Sequence, residues 1–238
     1  MAIALITGSG RRIGKGLAIE FARKGWDVLI HYNNSAESAL KTLQEIQNIG
    51  SKAVMFQADV RDYSAMQTGF EKAVAEIGHP DILVNNAAIY PSANNLQNTE
   101  ISLWDDVMDT NLKSYFQMAK IFSENAVKGS RIINIASLGA FQIWKGRIPY
   151  NVSKAGVIQL TKALARDLAP NISVNSVSPG SIEIENEPAE GGLALKVENI
   201  PMNRYGKISD VFDAVYFFAT ASLYITGQNI NVDGGYHL

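Results

Sequence analysis

The chain has no cysteine, which excludes disulfides, thiolate metal sites and a cysteine nucleophile. Its histidines are few: His31, His79 and His237 lie far apart without metal-ligand spacing, so each reads as a surface or satisfied polar group, and no metal site is expected. No apolar stretch approaches the ~20 residues that span a bilayer. Met1 runs directly into a short apolar segment that ends in a glycine turn, with no cleavage-site pattern. Charge of one sign is also missing, since 21 Lys+Arg stand against 23 Asp+Glu for a formal net charge of -2. Without a basic run, neither nucleic acid nor a membrane surface is an expected partner. The reading is a soluble, cytoplasmic protein.

What the chain does have is length and apolar content. At 238 residues and 47% hydrophobic it can bury one large α/β core, and is too short for two ordinary domains of separate function. Short apolar runs at 2–6, 27–31, 52–57, 81–84, 131–136, 172–177 and 228–232 have the pattern of strands buried on both faces. Helical patterns fall between them, at 16–24, 35–49, 62–77, 99–125, 150–169 and 209–219, the second with Ser35 as N-cap and Gly50 as stop. Strands alternating with helices predict a Rossmann-type, doubly wound parallel sheet of about seven strands in a single domain.

The first strand leads into Thr7-Gly8-Ser9-Gly10-Arg11-Arg12-Ile13-Gly14 and then a helix, the order of a dinucleotide-binding unit. Glycines let backbone approach a pyrophosphate, and the N–H groups of the helix start point at its charge. An acidic residue that binds the 2′-hydroxyl of NAD is expected at the end of the second strand. Here that end reads His31-Tyr32-Asn33-Asn34-Ser35, with no carboxylate before Glu37. Those polar groups, with Arg11, suit a 2′-phosphate, so NADP(H) is the expected cofactor. Asp59, with Val60 beside it, ends the third strand, where it either accepts from adenine or caps the next helix. Asn86-Ala87 follows the fourth strand with small side chains beside a flat ring system.

Tyr150 and Lys154 are four residues apart, so a helix stacks them on one face, where an ammonium beneath the phenol favours the ionised form. That makes Tyr150 a candidate proton donor near neutral pH. Ser137 lies at the carboxyl end of the fifth strand, and Asn111 falls inside the long 99–125 helix, where its side chain is either used or faces solvent. The stretch 183–190 carries Glu183, Glu185, Glu187 and Glu190 after the sixth strand, as a lid over a pocket or a solvated loop.

The Thr7–Gly14 turn, Asp59, Asn85-Asn86-Ala87, Asn111, Ser137, Tyr150 with Lys154, and Pro179-Gly180 together resemble the classical short-chain dehydrogenase/reductase family over essentially the whole chain. The resemblance implies that Tyr150 protonates the substrate as hydride arrives from nicotinamide. It further implies that Lys154 lowers the phenol pKa and holds the nicotinamide ribose, that Ser137 polarises the reacting group, and that Asn111 secures a proton-relay water chain. Cofactor contacts would come from Gly8, Arg11, Arg12, Ile13 and Gly14, from His31, Asn33 and Ser35, and from Asp59 and Val60. Asn86, Ala87, Tyr150, Lys154, Pro179, Gly180 and Ile182 would complete them.

Arg12 stands where the family turn usually has glycine, a pattern similar to the pteridine reductases. Tyr90 lies where those enzymes stack an aromatic on a pterin, so Tyr90, Ser137 and Tyr150 are the expected substrate contacts. Those enzymes, however, generally have aspartate at the position of Ser137, and serine is the carbonyl-reducing arrangement. The expected activity is reduction of a small carbonyl or pterin-like C=N by NADPH. The alternatives are a 3-oxoacyl-thioester reductase and a catalytically idle NADP-binding module. Segment 181–207 is the expected substrate lid, and the apolar ending 225–238 resembles the family's subunit contact, which implies a homo-oligomer, a tetramer.

Overall fold

The computed structural model describes residues 1–91, 94–184 and 195–238. Seven strands form one sheet: β1 (Ile3–Ile6), β2 (Asp27–Tyr32), β3 (Ala53–Gln57), β4 (Ile82–Asn85), β5 (Arg131–Ile135), β6 (Ser173–Pro179) and β7 (Asn229–Val232). Their spatial order is β3-β2-β1-β4-β5-β6-β7. Every neighbouring pair is parallel. The winding reverses between β1 and β4, and in an open α/β sheet ligands bind in the crevice at the carboxyl ends beside such a reversal.

Successive strand residues feed two cores, as the period of two requires. Ala4 and Ile6 of β1 join one face with Leu17 and Phe21 of α1 (Arg12–Arg23), Ala39 and Ile46 of α2 (Ala36–Ile49) and Phe212 and Phe218 of α7 (Ile208–Thr220). Ile3 and Leu5 join the other with Met66 and Phe70 of α3 (Tyr63–Ile77). Met118 and Phe122 of α5 (Ser114–Ser123) and Ala165 of α6 (Ile148–Asp167) close that face. The expected doubly wound sheet of seven strands is therefore present, with both faces covered.

The expected continuous helix over 99–125 is corrected. α4 (Ile101–Met108) passes through a π-helical segment, Asp109–Lys113, before α5 begins. The cause lies at Asn111, whose side chain accepts from Ile89 N at 2.8 Å and donates to Ile89 O at 3.0 Å. Local widening of this kind is a common feature of functional sites. α6 starts earlier than expected, at Ile148, because Pro149 fits a helix's first turn, where its missing N–H costs nothing.

Candidate active site

The nucleotide half of the site is tied together by backbone and short side chains. Thr7 Oγ1, just past β1, accepts from Asn86 N at 2.9 Å and Ala87 N at 3.1 Å, while Asn86 Nδ2 donates to Thr7 O at 2.9 Å. These bonds lock the turn after β1 to the end of β4, across the reversal in strand order. Gly8 has φ +66°, and a Cβ on Gly14 would sit 2.4 Å from Gly8 O and 2.5 Å from Asn86 Nδ2, so backbone fills the space a side chain would need. Arg12 also takes positive φ, +53°, which in a residue with a Cβ costs roughly 1–2 kcal/mol. That is a physical reason for the resembling family's usual glycine there. Among the described residues, no side chain caps the α1 start at Arg11, so this end keeps its attraction for anions.

His31 departs from the expectation that it offers a donor to a 2′-phosphate. The ring is buried, and both nitrogens are used: Gly8 N donates to Nδ1 at 3.0 Å, which leaves the proton on Nε2 for Ala58 O at 3.0 Å. Burial pushes its pKa down to about 4, so the imidazole is neutral and acts as a brace under the glycine turn. Asp59 is likewise engaged by protein. Its carboxylate accepts from Arg61 N at 2.9 Å and Arg61 Nη2 at 2.7 Å, with Arg61 also reaching Asp106 at 2.7 Å. The Arg61 partnership, with a contribution from Asn33, holds the Asp59 carboxyl below its usual range. The capping role weighed for Asp59 belongs to Asp62, which accepts from Ala65 N at 3.0 Å.

Asn33 and Ser35 stay near the end of β2, the latter beside Gly10, where a Cβ would lie 2.6 Å from Ser35 Oγ. Glu37, the first carboxylate after that strand, is paired with Lys41 at 2.6 Å. Val60 is buried next to Asp59. Ile13 lies in the first turn of α1 and packs on the core. Past β6, Gly180 N donates to Val232 O at 2.9 Å, and Ile182 bridges to Gly206, tying the start of the 181–207 segment to its end. Glu185, Glu187 and Glu190 of the expected acidic lid lie outside the described residues.

The residues expected to be catalytic, Asn111, Ser137, Tyr150 and Lys154, gather at the carboxyl edge of β4 and β5. Ser137 is buried, its Oγ accepts from Gly139 N at 3.1 Å, and its hydroxyl lies close enough to the Tyr150 phenol to favour ionisation. Asn111 Nδ2 also reaches Ser153 Oγ at 3.3 Å, so Asn111 clamps the Ile89 backbone, next to Tyr90, onto α6. Lys154 Nζ donates to Ile135 O at 2.8 Å and contacts Tyr115 Oη at 3.4 Å. Burial lowers Lys154 to about 7, and burial raises the Tyr150 phenol to about 12, the reverse of the shift expected from the spacing alone. Spacing placed the two residues on one face; the strand carbonyl decides where the ammonium goes.

Tyr90 was expected at the site; Trp144, Arg147 and Asn134 were not singled out by the sequence pattern. Tyr90 packs edge-on to Tyr150 at 4.6 Å, and Trp144 stacks on Tyr150 at 6.1 Å and 11°. Arg147 is buried with its guanidinium 4.1 Å over the Tyr90 ring. Below them, Asn134 of β5 accepts from Asn85 Nδ2 at 2.9 Å and donates to Thr161 Oγ1 at 2.9 Å, linking two strands and α6 by a buried polar chain.

A glycine turn at a strand-order reversal, facing a tyrosine–lysine helix at the same sheet edge, defines a dinucleotide-dependent oxidoreductase. The chain belongs to the short-chain dehydrogenase/reductase family. A family model described as enoyl-(acyl carrier protein) reductase matches residues 8–237. The 3-oxoacyl-(acyl-carrier-protein) reductase of Staphylococcus epidermidis is 35% identical, over 99% of this chain and 98% of that protein. The 2-dehydro-3-deoxy-D-gluconate 5-dehydrogenase of Escherichia coli K12 is 34% identical, over 98% and 94%. A short-chain dehydrogenase from Burkholderia cenocepacia, solved with NADP, superposes with TM-score 0.93 at 33% identity, covering 100% of this chain and 98% of that one. Among the described residues no cluster could hold a metal ion, and no helix is long and apolar enough to cross a membrane.

Proposed function

We propose that this protein is an NADPH-dependent reductase of a small carbonyl compound, with a 3-oxoacyl thioester as the first substrate to test. The observation that carries the reading is the placement of the buried Ser137 hydroxyl beside the Tyr150 phenol at the sheet edge, where it eases ionisation of the phenol. It aligns a donor and an acid on one point, where a carbonyl oxygen becoming an alkoxide would be stabilised by both. The relatives named above support a ketone substrate.

The residues fit the dinucleotide. The cradle between Gly8, Gly14 and Asn86 has no room for a Cβ. The α1 start attracts a pyrophosphate, Arg12 and Ile13 open that helix, and the end of β2 presents Asn33 and Ser35 with Glu37 tied to Lys41. When bound, NADPH supplies the hydride. The chain's own residues then do the rest. Ser137 would hydrogen-bond the carbonyl oxygen, Tyr150 would give its proton to that oxygen, and Lys154 would hold the nicotinamide ribose. Asn86, Ala87, Pro179, Gly180 and Ile182 would wall the nicotinamide side.

A second reading, reduction of a pterin-like ring, rests on Tyr90 as a stacking platform. One face of that ring already carries the Arg147 guanidinium, which favours the carbonyl reading. Assaying NADPH oxidation with acetoacetyl-CoA and a 7,8-dihydropterin side by side, with NADH as control, separates the two. Turnover of the thioester with NADPH is the expected result, and turnover of the dihydropterin alone would replace this reading with the second. Turnover of neither, with NADPH still binding, would leave the site as an idle NADP module and overturn the proposal.

A further inference from the structure

The glycine turn after β1 is held from two sides. On the β4 side, Asn86 N and Ala87 N donate to Thr7 Oγ1, and a Cβ on Gly8 would lie 3.0 Å from Ala87 Cα. On the β2 side the hold is one residue, His31, which is 1% exposed. Its Nδ1 accepts from Gly8 N at 3.0 Å, its carbonyl accepts from Ser9 N at 2.9 Å, and its own N–H donates to Ser9 Oγ at 3.2 Å. Ser9 Oγ in turn donates to Ile6 O at 2.8 Å. On the other edge of the ring, Nε2 meets Ala58 O at 3.0 Å, and Phe56 of β3 packs against the ring at 5.2 Å and 56°. Ala58 directly precedes Asp59, the residue expected beside adenine. The backbones of β1 and β3 cannot bond each other, because β2 lies between them in the sheet. The imidazole makes that link instead, from the turn that would meet the pyrophosphate to the strand end that would meet the adenine.

We propose that His31 is a positioning residue for NADP(H), whose Nδ1 acceptor fixes the Gly8 amide, and with it the phosphate turn, in the orientation the dinucleotide requires, while the Nε2 bond to Ala58 O anchors the ring. The inference rests on the reading of this turn as the NADP(H) site. Gly8 stands at φ +66° and has no side chain to restrict it, so without the acceptor its peptide is free to turn, and each binding event has to reorder it. The link needs a neutral ring in one tautomer, because an imidazolium has two donors and nothing to accept from Gly8 N. The surroundings enforce that state. Burial holds the His31 pKa at about 4, and the groups packed on the ring, Gly8 and Ser9 from the turn and Phe56 and Ala58 from the β3 end, are uncharged. Among the described residues, Asp59 is the charged group whose field reaches the ring.

Two near-isosteric variants of the full-length protein separate the acceptor from the packing. His31→Asn and His31→Leu both lose the ring and the bond to Ala58 O, but the Asn amide oxygen can still accept from Gly8 N at the level of Nδ1. Isothermal titration with NADP+ at pH 7 is expected to show affinity about tenfold weaker in His31→Leu and within about threefold of the parent in His31→Asn, the order of effect of one unmade buried hydrogen bond. Hydrogen exchange at the Gly8 amide in the free protein is expected to be slow in the parent and in His31→Asn and faster in His31→Leu. Parent-like affinity in His31→Leu would overturn the proposal, and so would equal weakening in the two variants, which would trace the effect to the lost ring. If His31→Leu does not fold, His31→Gln takes its place, since its amide falls at the level of Nε2 and serves Ala58 O rather than Gly8 N; binding as tight as that of His31→Asn would then contradict the proposal. A parent that does not bind NADP+ would defeat the cofactor reading and this inference together, whereas a parent that binds no better than His31→Leu would defeat the inference alone.

Discussion

The turn after β1 and the start of α6 face one another across the same sheet edge, yet they are built differently. Around the turn, Thr7, Gly8, Asn86 and His31 satisfy one another through backbone groups and neutral side chains at 2.9–3.0 Å. Around α6, the groups that matter are charges and a phenol, and burial moves each of them away from the protonation state chemistry needs near pH 7. The binding half is therefore complete in the folded chain, because its hydrogen bonds do not depend on a second molecule. The chemical half is tuned by whatever charge is brought next to it. Geometry can be stored in backbone, whereas a proton affinity follows the local dielectric and its neighbours.

That contrast can be broken from the nucleotide side. Gly14→Ala places a Cβ against Gly8 O and Asn86, and neither backbone nor a held amide can yield easily. NADPH affinity in a fluorescence titration is expected to fall about tenfold to a hundredfold, the equivalent of roughly 1–3 kcal/mol of overpacking. Affinity equal to the parent would show that the turn is looser than its contacts imply.

A smaller effect sharpens the same side. His31→Phe leaves Gly8 N and Ala58 O without their partner, which costs about 1–3 kcal/mol in urea unfolding at pH 7. The folded pKa of His31, about 4, lies below the ordinary value of 6.5, so below pH 6.5 the unfolded chain takes the proton first. Stability from this residue is thus fully present above pH 6.5 and declines as pH falls toward 4, by roughly 3 kcal/mol in total. The phenylalanine variant is expected to lose that part of the acid slope; an unaltered slope would refute the bracing role.

Much of this fold was legible in the sequence because it depends on local pattern. Apolar runs between glycine turns marked all seven strands, and Tyr150 and Lys154 were found by helical spacing. What escaped depends on partners distant in the chain. His31 looks like a strand-end donor until the β3 end closes over it and Gly8 takes its Nδ1. Asn111 interrupts a helix that its neighbours would continue, because Ile89 offers it both backbone groups. Arg147 reads as an ordinary surface cation before a helix until Tyr90, from the loop after β4, forms its floor. Asn134 sits inside a β5 run that reads as apolar, and its partners Asn85 and Thr161 come from other elements.

The central claim is that binding and chemistry are separable here, with the turn holding NADPH and Tyr150 moving the proton. The most direct test is Tyr150→Phe, measured for NADPH affinity and for steady-state NADPH oxidation with acetoacetyl-CoA. Loss of the Tyr150 phenolic proton is expected to lower turnover by about 10²–10⁴-fold, the contribution of a positioned acid. NADPH affinity should stay within about twofold of the parent, since the cradle at Gly8, Gly14 and Asn86 is untouched. Turnover equal to the parent would contradict the account, and so would a parallel collapse of NADPH binding.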